Sequence, residues 1–105
     1  MPELSLNVTP GACQLTTRVV VRDHEDGVQV ELDSKCPMIR RLAAIIDVVD
    51  PLDALTMPYE DNAIYCLAGK VISHSSCPVP LAIIKCIEAQ TGMAVKKDVH
   101  LEFDI

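Results

Sequence analysis

At Cys36-Pro37 the apolar residues change their period, and that change divides the chain into two kinds of structure. Upstream, residues 15–22 (LTTRVVVR) and 28–34 (VQVELDS) are rich in β-branched side chains. In the second run Val28, Val30 and Leu32 alternate with Gln29 and Glu31, which places them on opposite faces of a strand. Asp26-Gly27 lies between the two runs and supplies the positive-φ position of a hairpin turn. Residues 4–8 (LSLNV) alternate more weakly and predict a further short strand. Downstream the period becomes 3.6: Met38, Ile39, Leu42, Ile45, Ile46 and Val49 share one helical face, with Arg40 and Arg41 turned away. Asp50-Pro51 then pairs an N-cap with a proline at N1 for a short helix, DPLDAL.

A third helix is predicted over 61–73, with Ile64, Leu67, Ala68, Val71 and Ile72 in one stripe. A fourth runs from Pro78 to Thr91, where Gly92 takes the C′ position. Residues 99–105 (VHLEFDI) alternate again and predict a closing strand. Strands followed by helices give an α+β class: a single domain over 1–105, with an antiparallel sheet of three or four strands and helices packed on one face.

Composition narrows the function. The chain has 105 residues, half of them apolar, enough for one core. With no Trp, one Phe and two Tyr, that core is aliphatic and there is no aromatic platform on which bases could stack. A formal charge of −6 disfavours nucleic acid and anionic membranes as partners. The start, MPELSLNVTPGAC, has neither the basic nor the apolar region of a secretory signal, and no apolar run is long enough for a membrane span. Five cysteines in such a chain imply reduced thiols and a cytoplasmic address. The acidic turn Asp23, Glu25 and Asp26 lacks the ligand spacing of a calcium loop. No nucleophile elbow, phosphate loop or dinucleotide fingerprint occurs, so no enzymatic activity is expected.

The chemistry is concentrated in the cysteines. Cys36 and Cys77 both precede a proline that opens a helix, which puts each thiol at an N-cap, unless Val79-Pro80 shifts the start of the fourth helix by a residue or two. There it faces unpaired backbone N–H groups and the positive end of the helix dipole, and its pKa is expected to fall. Arg40 and Arg41 act in the same direction on Cys36. Thiolates are the ligands of soft metals and of cluster iron. Cys13, in the turn PGAC between the first two strands, comes beside Cys36 if the hairpin folds back. For a fourth ligand, about 100° per helical residue sets Cys66 on the solvent face of the third helix and His74 at the edge of its buried stripe. His74 also precedes Cys77 by three residues, a spacing that lets both reach one ion, and is preferred to Cys66. Cys86 lies among Val79, Ala82 and Ile83 and reads as core.

Gly11-Ala12-Cys13, Lys35-Cys36-Pro37 and Ser76-Cys77-Pro78, in that order around a charged hairpin, resemble the small TSCPD-type cysteine domains. More distantly the layout is similar to iron–sulfur scaffold domains, whose cysteines gather at one end of a sheet and at helix starts. The C-terminal third, HSSCPVPLAIIKCIEAQTGMAVKKDV, resembles short uncharacterised CPVP-type proteins of anaerobic prokaryotes. This chain has Ser75-Ser76-Cys77-Pro78-Val79 where TSCPD-type domains carry Thr-Ser-Cys-Pro-Asp, and Lys35 where they carry glycine. The resemblance implies a metal or cluster site and brings no activity with it.

Two readings follow. In the first, Cys13, Cys36 and Cys77, with His74 or Cys66, hold Zn²⁺ or an iron–sulfur cluster. In the second, the thiols are packing residues of a metal-free homodimer formed through the C-terminal helix. That helix is apolar on nearly every side (Val79, Leu81, Ala82, Ile83, Ile84, Cys86, Ile87) and needs cover on two faces. A reversible Cys36–Cys77 redox pair is a third reading, without a C-x-x-C motif to support it.

Overall fold

The β-branched runs form an antiparallel meander. The structure, a computed structural model, describes residues 3–104. Strand β1 (Leu4–Val8) pairs with β2 (Thr17–His24), β2 with β3 (Gly27–Ser34), and β3 with a two-residue strand, β4 (Val48–Val49), in the order β1-β2-β3-β4. The register sets Val8 opposite Thr17 and Thr17 opposite Ser34 at one end, and Leu4 opposite Val21 and His24 opposite Gly27 toward the other. Val19 and Val21 of β2 and Val28 and Val30 of β3 are buried on a common face. Each such side chain contributes about 1.5–3 kcal/mol when fully buried. The opposite face carries Arg18, Arg22, Glu31 and Asp33, with Arg22 paired to both Glu3 and Glu31.

Helices cover the apolar face. Helix α1 (Pro37–Ile45) packs on β3, and α4 (Val79–Gln90) lies across β1 and β2. Helices α2 (Pro51–Leu55) and α3 (Ala63–Val71) pack against α4 from its other side, and α3 also meets α1. The second cover that α4 requires thus comes from its own chain. Asn62 ties the second layer together: its Oδ1 accepts from the Ile64 and Tyr65 N–H groups at the start of α3, while its Nδ2 donates to the Ala54 carbonyl of α2. None of the described helices is long and apolar enough to cross a membrane.

Three elements differ from the sequence reading. The first helix stops at Ile45, and Ile46 turns extended (φ −91°, ψ 139°). Ile45 is exposed, and Val49 pairs with Val28 in β4 instead of extending a helical stripe. β-branched residues serve a strand as well as a helix, and Asp50, preceding Pro51, is held extended. The third helix ends at Val71, with Ile72 extended. Residues 99–104 form no strand; Ile105 lies outside the described residues. Gly92 does close α4 as expected (φ +76°), with its N–H bonded to the Ala89 carbonyl and that of Met93 to Glu88.

Gly27 is fixed by the passage of β4. A Cβ on it would lie 2.3 Å from the Val49 carbonyl oxygen, and its φ is +144°. Substitution Gly27→Ala must displace backbone as well as strain the turn, and is expected to lower the unfolding free energy by about 1–3 kcal/mol. Urea denaturation of the variant against the parent chain measures it.

Candidate functional site

Register and helix direction bring three of the predicted site residues to one end of the molecule. Val8, Thr17 and Ser34 are aligned across the sheet, so the β1–β2 connection that carries Cys13 and the β3–α1 junction that carries Cys36 leave from the same end. Gln90, at the far end of α4, donates to Asp23 at the opposite end of β2, so α4 begins where Cys13 and Cys36 are. Cys77 precedes that helix by two residues.

Ser34 sets the position of Cys36. Its hydroxyl accepts from Thr17 Oγ1 (2.8 Å) and from the Cys36 N–H (3.1 Å) and donates to the Thr16 carbonyl (3.2 Å). One donation and two acceptances exhaust a hydroxyl. Arg40 Nε closes the junction from α1 by donating to the Ser34 carbonyl at 2.9 Å. Cys36 is then the N-cap of α1, half-buried, with Pro37 at N1, and its side chain makes no capping hydrogen bond. The sulfur is left available for other partners.

Cys13 occupies an exposed turn in which Gln14 N–H bonds the Gly11 carbonyl at 3.0 Å, with Gly11 at φ +91° and Gln14 at φ +57°. Cys77 is half-buried. Its place is one residue earlier than an N-cap, because Pro78 takes that position and Pro80 sits at N2. Prolines fit there because the first N–H groups of a helix have no intrahelical partner.

Burial pushes the Cys77 thiol up from its ordinary value; a hydrogen bond from the Val79 N–H opposes this, while the nearby Cys36 and Cys13 add to the rise. The thiolate expected of Cys77 from a helix dipole is therefore replaced by a thiol at rest. The influence of Cys36 and Cys13 on Cys77 agrees with all three lying at one end of the sheet.

The remaining residues separate cleanly. His74 lies beyond the end of α3, in an exposed loop, so the helical angle assigned to it does not apply. Its carbonyl accepts from the Cys77 N–H at 3.2 Å, and both residues line an open recess of about 200 Å³ with Tyr65, Gly69, Ile72 and Pro80. Cys66 is exposed on α3, its thiol directed to the Glu60 carbonyl at 3.3 Å. Cys86 is core: it is buried beneath β1, with its thiol toward the Leu4 carbonyl at 3.7 Å. All five thiols are free. Among the described residues no three His, Cys, Asp or Glu side chains stand as a ready-made metal site.

Sequence reasoning missed Met38. Its sulfur accepts from the Ser73 N–H (3.4 Å) and hydroxyl (3.3 Å), joining the first turn of α1 to the loop that carries His74. Its place in an apolar helical stripe hid this polar contact, and no local signal marks it.

Comparison with protein-family models matches residues 4–103 to a family of unknown function, DUF6951. No curated protein and no solved structure matches the chain.

Burial alone raises Cys86 from 9.0 to about 11. Its folded-state pKa exceeds the unfolded one, so the associated stability is whole below 9.0 and is lost as pH climbs through about 11. Each unit is worth about 1.4 kcal/mol. Urea unfolding over that range is expected to show a steep loss of stability, made shallower by about 1–3 kcal/mol in Cys86→Ala.

Proposed function

The chain belongs to this family of unknown function, and we propose from its own side chains that it binds a soft metal ion, Zn²⁺ or the iron of an iron–sulfur cluster. Cys13, Cys36 and Cys77 are the thiolate ligands and His74 the fourth. The observation that supports the reading is the sheet register, which sends the Cys13 turn, the Cys36 junction and the start of α4 after Cys77 to one end of the sheet; the influence of Cys36 and Cys13 on Cys77 agrees with it. Cys36 and Cys77 also pack against the apolar core, but unlike Cys86 they are only half-buried.

His74 is preferred to Cys66 because it shares a turn and a recess with Cys77, whereas Cys66 faces the Glu60 carbonyl on α3. Binding closes the exposed Cys13 turn onto the two half-buried sulfurs and displaces their protons. The role is one of binding rather than catalysis, in a reducing compartment such as the cytoplasm, where five free thiols persist.

Protein purified without oxygen is expected to carry zinc, or iron with acid-labile sulfide, in fixed proportion to the chain. Cys36→Ser is expected to weaken retention at least about tenfold, a loss no smaller than that seen for outer-shell partners. Below the pKa of Cys77, apparent affinity rises with pH by up to about tenfold per unit for each proton displaced. Unchanged metal content in Cys36→Ser, or protein that carries neither zinc nor iron when purified without oxygen, overturns the reading.

A further inference from the structure

We infer that Val99–Phe103 is a strand whose partner is the free edge of β1 in a second copy of the chain, the exchange being reciprocal and the product a dimer. The two halves of the pairing are both present and both unsatisfied. Among the described residues β1 pairs within the sheet with β2 alone, and its Leu4 and Leu6 are merely half-buried. Beyond Gly92 the described residues form no helix or strand, yet Val99, Leu101 and Phe103 alternate with His100 and Glu102. Those three side chains are 49%, 85% and 97% exposed. A segment so apolar on one face, in a chain with a single Phe, is costly to leave in water.

Length and pattern agree. Five residues of the tail match the five of β1, and an added strand sets Val99, Leu101 and Phe103 beside the helix-covered row Leu4, Leu6 and Val8. Charge bears on the direction at one end. Glu102 and Asp104 end the tail strand, and Arg18 lies across from Asn7 at the end of β1. Parallel addition brings that acidic end to Arg18, which forms no ion pair among the described residues, whereas antiparallel addition carries Asp104 to Glu3. At the other end of a parallel pairing Asp98 stands beside Glu3, with Lys97 next to it.

A second copy is the occupant because it carries both elements. Two tails and two edges satisfy one another in a closed two-fold assembly, leaving no further strand to propagate. Edge addition of an extended segment supplies main-chain hydrogen bonds for affinity and alternate side chains for register.

The test is the mass of the full chain in solution, by light scattering across a concentration series with chelator and reductant present. A dimer is expected. The full-length double variant Leu101→Asp with Phe103→Asp is expected to raise its Kd at least about a hundredfold, with thermal unfolding of the monomer body unchanged. Amide exchange supplies a second readout, in which protection of Val99–Phe103 and of β1 grows with protein concentration. A chain that is monomeric throughout, or a dimer indifferent to the double variant, overturns the inference. So does protection of the tail that is independent of concentration, because the strand would then close on its own sheet. Chelator in every sample keeps a metal-bridged dimer from being mistaken for an exchanged one.

Discussion

Burial of one face of the meander governs the rest of the molecule. Val19, Val21, Val28 and Val30 present a narrow aliphatic surface with no aromatic side chain to widen it, so two helices must lie directly on it. Helix α1 follows β3 after only two residues and folds back over it; α4 crosses β1 and β2 with its C-terminal end pinned near Asp23. These directions put the starts of both helices at the Thr17–Ser34 end of the sheet. That the segments carrying Cys13, Cys36 and Cys77 share one end of the sheet is therefore a consequence of how the sheet is covered, together with the turn that joins β1 to β2.

Polar chemistry at that end is equally constrained. The buried Thr17–Ser34 pair replaces what would be the last rung of aliphatic contact, and the Ser34 hydroxyl uses its whole bonding capacity on three neighbours. Without it the Cys36 N–H and the Thr16 carbonyl would lose partners in a half-buried site. Cys36 is thus held by backbone and by its neighbours, and its sulfur is not consumed in capping. Cys13 stands at the other extreme, on an exposed turn. A ligand set assembled from them has rigid members and one adjustable one.

Much of this was legible in the sequence. The period change at Cys36-Pro37, the hairpin at Asp26-Gly27 and the Gly92 stop each rest on local chemistry, and local chemistry decides them. That the Cys13 turn and the Cys36 junction leave from one end of the sheet was legible too, because hairpin return is itself a local rule. What failed needed knowledge of neighbours. Residues 45–49 satisfy both periods, and the open side of β3 decided for a strand. His74 was placed by extending α3 through Ile72, where the chain had already left the helix. Residues 99–104 alternate as a strand should, but alternation does not bring an edge within the same chain.

Cys77 illustrates the competition most directly. A helix N-terminus favours an anion by about 0.3–1 kcal/mol at an exposed site, and the effect fades beyond the first turn. Pro78 moves Cys77 one position outside the N-cap, which weakens that attraction, while packing half-buries the sulfur and penalises its charge. Desolvation wins, with only the Val79 N–H acting against it. Two more sulfurs nearby raise the cost of a free negative charge further, so the cluster does not favour several thiolates in isolation. A cation reverses each of these terms: it neutralises the repulsion among the sulfurs and supplies the charge that burial otherwise forbids. On the proposed reading, the same features that keep Cys77 protonated make a positive ion its counterpart.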